Sequence, residues 1–494
     1  MIKKYYLGLD NGTTGTTALL LDETWKQVGR GYKELTQHYP QDGWVEQDAL
    51  EIWESILYST SVACETAGIL PEQISCLGLD NSGETVVLWD KFTGLPVYNA
   101  IVWQDRRTAR YCDSLKEQYG EYVKQHTGVM IDSYFSATKI KWIIDNVEGV
   151  KEKIAARRIL ASTLDGWIFW KMTHGSLFIT DASTASRTLL MNVHKGQWDD
   201  GLLELFGVGR DMLPEIRDSS AIFGYTDPLE FLGARIPIAG ACVDQQSSLF
   251  GQACFEPGMT KCTYGTGCFM LMNTGSNLVE SSHGILPTVA WRLGGKISYA
   301  LDGGVYVTGA ATQWLRDKLR IIGTAAMAFE AKDNGGVYFV PAFFGLAAPH
   351  WDSYARGVMI GVTGGTSREH IVRATLEATA YQVKDILDAM NEDANMPIKR
   401  LRVDGGSVVN KFLMQFQADI LGIPIDIPEI SETTALGAAY LAALAVGDFT
   451  SLDEISANWK LARSYEPNMS MDQRQALMHK WHKAVERARN WAEE

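Results

Sequence analysis

In Leu7-Gly8-Leu9-Asp10-Asn11-Gly12-Thr13-Thr14-Gly15-Thr16-Thr17 an apolar run meets a carboxylate. A turn of Gly, Asn and Thr then hands over to a second apolar run, Ala18-Leu19-Leu20-Leu21. The pattern predicts strand, tight turn, strand. Glycine permits positive φ and close backbone approach. N–H groups and Thr hydroxyls in such a turn can wrap phosphate oxygens, and Asp10 could hold a hydrated Mg²⁺ beside them. Taken alone, the loop reads slightly better as an ordinary hairpin whose Asp and Asn satisfy the turn. The rest of the chain has to decide.

At 494 residues the chain is too long for one core, so two or more domains are expected. Hydrophobic residues make up 46% and charged residues 21%, as in an ordinary globular protein. Lys plus Arg number 45 against 59 Asp plus Glu, for a net charge of −14. That balance argues against nucleic acid or an anionic membrane as the main partner. Seven cysteines, never spaced C-x-x-C, suit a reducing compartment. Met1-Ile2-Lys3-Lys4 runs straight into the first strand and Asp10 breaks the apolar run, which does not fit a signal peptide. The Ala-rich run from Ala435 to Val446 is too short to span a bilayer. The expectation is a cytoplasmic protein.

Asp48-Ala49-Leu50-Glu51 has the form of a capping box before a helix carrying Ile52, Trp53, Ile56 and Leu57. Ile74 to Leu79, a turn at Asp80-Asn81-Ser82-Gly83, and Glu84 to Trp89 predict another strand-turn-strand. Val97 to Trp103 predicts a strand, and Ser133 to Trp142 a loop entering a helix. The second half restarts the pattern. Ile236 to Val243 ends on Asp244, and Met259–Thr263 and Cys268–Asn273 flank Tyr264-Gly265-Thr266-Gly267. Gly303 to Leu319 predicts a glycine-rich loop entering a helix, with Ser367 as N-cap of a long helix to Met390. Leu401 to Val403 meets Asp404-Gly405-Gly406, and helices follow over Asn410–Leu421 and Glu432–Val446, the latter closed by Gly447. Alternating strands and helices give an α/β class, and the two Gly/Thr hairpins suggest duplicated domains.

Neither a G-x-x-x-x-G-K-[ST] nor a G-x-G-x-x-G motif occurs, and there is no H-E-x-x-H or paired-Cys metal site. His479 and His482 lie on a charged C-terminal helix and read as a solvated face. Three Gly/Thr turns remain (10–17, 263–267 and 404–406), with strand-end carboxylates Asp10, Asp80, Asp244 and Asp404. Two phosphate-gripping hairpins across a cleft, with a Gly-Gly turn for a base, would make an ATP site. One Asp suffices to orient a hydroxyl nucleophile, because phosphoryl transfer needs mainly positioning and charge neutralisation. Asp80 reads as turn chemistry, since no Gly-Thr run follows it.

Together these residues resemble the FGGY carbohydrate kinases, and within them the members that act on glycerol, over almost the whole length. The matching stretches include Asp10 to Thr14, Tyr39 to Glu46, Tyr98 to Arg107, Tyr134 to Trp142, and Asp244-Gln245-Gln246. They continue through Thr263 to Phe269, Asp404-Gly405-Gly406, Asn410 to Leu421, and Glu432 to Tyr440. The resemblance implies two ribonuclease-H-like domains of actin or hexokinase type closing over ATP and a polyol. Residues 1–250 would carry the polyol site, first phosphate loop and catalytic Asp, and 251–494 the second phosphate loop and adenosine pocket. Asp10 looks like a ligand to Mg²⁺ through water, with Asp244 beside the ion. Asn11, Thr13, Thr14, Gly265, Thr266, Gly309 and Gln313 look like nucleotide contacts, and Gly405, Gly406 and Asn410 like the adenine pocket. Asp244 looks like the base, while Gly83, Glu84, Trp103, Tyr134, Gln245 and Phe269 surround the alcohol. For Trp103 and Phe269 the competing reading is plain core packing.

Two departures stand out. The resemblance places an arginine before Glu84, where this chain has Gly83, and often an arginine at Thr17. Losing a guanidinium removes five donors and opens volume. Glycerol is the first expected acceptor from the resemblance, but the departure at Gly83 predicts that it binds weakly or that a tetritol, dihydroxyacetone or a pentulose fills the space instead, with an actin-like ATPase module as a remote alternative. An arginine restored at 83 is expected to improve glycerol use. No regulatory loop carries over at 227–235, and a homodimer or homotetramer is expected.

Overall fold

The computed structural model describes residues 3–323 and 332–492. Tyr5–Asn11 and Gly15–Asp22 form the expected antiparallel hairpin. It sits in a six-stranded sheet whose order is Ser220–Tyr225, Pro237–Val243, Ile74–Asn81, Tyr5–Asn11, Gly15–Asp22, Gln27–Glu34. Thr260–Tyr264 and Cys268–Gly275 form the second hairpin, within a seven-stranded sheet that continues through Leu401–Asp404, Ile425–Pro428 and Leu461–Tyr465. The pairings of the first sheet recur in the second, which adds one edge strand, Leu286–Leu293. In each sheet the first hairpin strand runs parallel to a later strand, that one parallel to a third, and the third antiparallel to an edge strand. The duplication suspected from two turns is therefore a duplication of topology.

Ile74–Asn81 and Val86–Asp90 are strands as expected, but they part company. The first joins the six-stranded sheet; the second crosses into a small sheet with Ala100–Ile101 and Ile159–Thr163. Gly83, at φ +65°, turns the chain between them. The repeat Gly8-Leu9-Asp10-Asn11 and Gly78-Leu79-Asp80-Asn81 is a register, since each residue of one faces its counterpart in the other.

Helix Thr433–Ala445 crosses back from the far end of the chain to cover the six-stranded sheet. A Cβ on Gly8 would lie 1.9 Å from the Ala435 carbonyl oxygen, and one on Gly78 1.9 Å from that of Ala438. Gly240, paired with Gly78, faces Ala438 as well, at 2.6 Å. Three glycines in a row across three strands thus let a helix backbone rest on a sheet backbone. The same helix packs on Asp244–Gly251, the helix that starts at the end of strand Pro237–Val243. These two crossing helices join the halves. Among the described residues no helix is long and apolar enough to cross a membrane.

Candidate active site

The strand ends converge at the cleft between the sheets. In the first phosphate-type turn the Gly12 N–H donates to the Gly15 carbonyl at 3.1 Å, leaving Thr13 half-buried and Thr14 exposed. Asn11 differs from expectation. Its side chain is buried and its amide donates to Thr16 Oγ1 at 2.8 Å, so it shapes the turn from inside rather than facing a nucleotide. In the second turn Gly265 N–H donates to the Gly267 carbonyl at 2.9 Å and Thr266 stands exposed. The N–H groups of Thr308 and Ala310 both donate to the Thr266 carbonyl at 3.0 Å. That staples the turn to the N-terminus of helix Gly309–Asp317, whose dipole favours an anion. Gln313 lies exposed one turn further on. Gly405, in left-handed backbone, and exposed Gly406 follow strand Leu401–Asp404. Asn410 caps helix Lys411–Leu421 by accepting the Leu413 N–H at 3.1 Å.

The floor of the cleft is acidic. Asp244 is half-exposed yet deep among protein atoms, and burial together with the charge of Glu84 pushes its carboxyl up to about 6. The Gln245 N–H donates to its Oδ1 at 2.6 Å. Burial raises Asp10 to about 7. Asp80 is not turn chemistry. It is fully buried in register with Asp10, and burial together with the neighbouring Asp10 carboxyl holds it well above the carboxylate range. Asp404, its counterpart in the other sheet, accepts from Gln252 Nε2 and Thr433 Oγ1, both at 2.7 Å, and so ties the two crossing helices to the second sheet.

Among the described residues no group of three or more His, Cys, Asp and Glu could by itself hold a metal ion. Mg²⁺ characteristically keeps several waters and takes one or two carboxylates plus phosphate oxygens. Desolvated Asp10 and Asp244 are carboxylates of the kind such a hydrated ion relieves, so the donor set fits it.

Beside Asp244 lies an aromatic recess. Trp103 is 5.6 Å from Tyr134 and 6.4 Å from Phe269, both edge to face, and all three rings remain partly exposed. This is a wall and not a sealed core. Trp103 also donates from Nε1 to Thr13 Oγ1 at 2.8 Å, linking the wall to the first phosphate turn. Glu84 is buried at the back. Behind Trp103, Arg107 stacks on Trp44 at 3.8 Å and Trp142 at 4.5 Å and pairs with Glu46 and Asp105, a scaffold for the wall.

Three polar residues escape sequence reasoning. Lys261, buried, donates to Gln245 Oε1 at 2.5 Å and Thr263 Oγ1 at 2.9 Å. Arg187, also buried, donates from Nε to Glu84 Oε1 at 2.6 Å. Asp302, from the other half, lies 3.4 Å from Arg187 Nη2. The available signal was a single arginine inside the small-residue run Ala182 to Leu190.

Paired sheets, each presenting a phosphate-type turn to an acidic floor beside an aromatic recess, define a nucleotide-dependent phosphotransferase of the actin and hexokinase build. The sequence models of the FGGY family of carbohydrate kinases match residues 5–251 for the N-terminal domain and 260–446 for the C-terminal domain. The chain is 55% identical over 493 residues to glycerol kinase 2 of Thermotoga maritima, covering 99% of each chain. It is 54% identical to a glycerol kinase of Caldanaerobacter subterraneus, covering 99% of this chain and 100% of that one. Among solved structures, Plasmodium falciparum glycerol kinase with ADP superposes with a TM-score of 0.90 at 36% identity, covering 98% of each chain. The chain belongs to the FGGY family of carbohydrate kinases.

Proposed function

We propose that the chain transfers the γ-phosphoryl group of ATP to a hydroxyl of glycerol, giving glycerol 3-phosphate and ADP. The observation that carries this reading is the Trp103–Thr13 hydrogen bond, which couples the acceptor wall to the phosphate turn beside Asp244. Relatives named glycerol kinase along the full chain support the choice of acceptor. Asp244 removes the hydroxyl proton as the oxygen attacks the γ-phosphorus and the bond to the ADP oxygen breaks. Glu84, Tyr134 and Gln245 orient the alcohol, and the Thr13–Thr14 and Gly265–Thr266 turns hold the phosphates from opposite sides. Asp10 and Asp244 would hold hydrated Mg²⁺, which supplies neutralising charge to the phosphate oxygens when bound. Gly405, Gly406 and Asn410 would bound the adenine. Residues 1–250 and 251–494 divide these tasks. The reading includes a cytoplasmic homodimer or homotetramer; seven buried free cysteines suit that compartment.

Gly83 does not by itself argue for a larger acceptor. The place a Cβ would take is already met by Val243 Cγ2 at 2.8 Å. ADP release measured over C3 to C6 polyols and ketoses tests the reading. Glycerol should give the highest kcat/KM, and turnover confined to a longer substrate would refute it.

A further inference from the structure

Every alcohol oxygen that enters the recess has lone pairs to satisfy as well as a proton to give. The groups already placed there are strong acceptors, Glu84 and Asp244 foremost. Gly83, next to Glu84, contributes no donor, and the Lys261 ammonium is committed to Gln245 and Thr263. Buried Lys139 is likewise committed, donating from Nζ to the Tyr134 and Phe135 carbonyls, which leaves buried Arg187. Its Nε is spent on Glu84, but neither Nη makes a hydrogen bond to a protein atom among the described residues. Its guanidinium carbon is 5.5 Å from the centre of the Tyr134 ring. Glu84 from one half and Asp302 from the other hold the fork in place. A guanidinium so fixed presents paired donors at little further entropic cost.

We propose that Arg187 is a specificity-determining residue whose Nη donors read a hydroxyl of the acceptor polyol, with Asp302 as the positioning residue that holds it from the opposite sheet. The inference rests on the polyol-kinase reading above. It also accounts for a pocket that keeps a hydroxyl donor although residue 83 has no side chain.

The test compares glycerol with propane-1,2-diol and propane-1,3-diol, each lacking one hydroxyl, as substrates or, where no turnover occurs, as competitive inhibitors. Sites built to hydrogen-bond a hydroxyl discriminate strongly against analogues lacking it. Arg187→Met should lower kcat/KM for glycerol by about 10²-fold or more, mainly through KM. It should change the constant for one of the diols less than about 3-fold, with the ATP KM held within about 2-fold. Asp302→Asn should raise the glycerol KM and leave kcat largely intact. If Arg187→Met does not fold, Arg187→Lys keeps the charge beside Glu84 and should show the same selective pattern more weakly. A loss uniform across glycerol and both diols, or no loss at all, in whichever variant folds, overturns the proposal. Failure of the unaltered protein to phosphorylate any polyol would instead refute the reading on which it rests.

Discussion

Asp244 is poised by its surroundings. Burial and the charge of Glu84 raise its carboxyl, which strengthens it as a base while the Gln245 N–H fixes its orientation. Asp244→Asn keeps the shape and removes the base, so kcat should fall by about 10²-fold or more while the ATP KM stays within about 2-fold. Steady-state kinetics in ATP will check this; an equal loss of ATP affinity would assign Asp244 to nucleotide binding instead. Gly83 makes the opposite case. From sequence alone an arginine there promises better glycerol use. The backbone at φ +65° and Val243 Cγ2 at 2.8 Å from a would-be Cβ reverse the expectation. Gly83→Arg should lose about 1–3 kcal/mol in urea unfolding and gain nothing in glycerol kcat/KM. The position of Gly83 in the chain was legible, but its φ was not, because a Gly after Asn-Ser fits several turn types.

Elements show where local rules suffice. Asp48 caps helix Ala49–Ala67, as its sequence promised, by accepting the Leu50 N–H at 2.8 Å. Glu51 does not close the box; it accepts from Thr36 Oγ1 at 2.9 Å and so joins the helix to a neighbouring loop. Tertiary competition for one carboxylate decides that, and no local pattern reports it. The glycine stripe is similar: the repeated Gly-Leu-Asp-Asn is visible in sequence, but its purpose depends on a helix some 350 residues away. Gly78→Ala should cost about 3 kcal/mol or more, because the Cβ meets backbone that cannot yield singly. Gly120→Ala, inside helix Ala109–Thr127 with open space around it, should instead stabilise by about 0.5–1 kcal/mol. Chemical denaturation of the pair tests the contrast. The C-terminal helix Met471–Ala488 corrects another reading. His482 is exposed, yet its Nε2 lies 2.9 Å from Asp385 Oδ1, alongside the 2.7 Å bond from Trp481 Nε1 to Asp385 Oδ2. The hydrogen bond to Asp385 raises the imidazole above 6.5. A raised pKa means that the charged pair stabilises fully below the unfolded value of about 6.5 and is lost as pH rises through the folded one. His482→Gln should therefore lower Tm in acid and have a shrinking effect towards alkaline pH, the whole worth below about 1 kcal/mol because the ring is largely in solvent. A Tm difference independent of pH would show that His482 acts through packing alone.

At the scale of the molecule, the two matched sheets explain why the turns, strand ends and Gly-Gly motif could be found in sequence. The turns and strand-end carboxylates are local signatures present in each sheet, and the Gly-Gly motif is a local signature of the second alone. Arg187, Asp302 and Lys261 were not legible because their partners lie on other elements, and two of these pairs, Arg187–Asp302 and Lys261–Gln245, cross between the halves. The same crossing makes the halves interdependent. Helix Thr433–Ala445 buries Leu436, Tyr440 and Leu441 against the six-stranded sheet. Phe449 stacks on Trp25 and Tyr440 lies tilted against it, and Trp25 stacks in turn on Tyr6 at 4.6 Å. Each large side chain so buried is worth about 1.5–3 kcal/mol, and a sheet face paved with glycine has little else to cover it. A fragment of residues 1–258 should therefore fail to reach a native fold although it contains a complete FGGY N-terminal domain match. Expressed alone it should aggregate or give a broad, uncooperative thermal transition. Mixed during refolding with 259–494, it should recover a single sharp transition and polyol-dependent ADP release. A monodisperse fragment that unfolds cooperatively by itself would show that the returning helix is an accessory to the first sheet, and that the two halves are joined by the cleft alone.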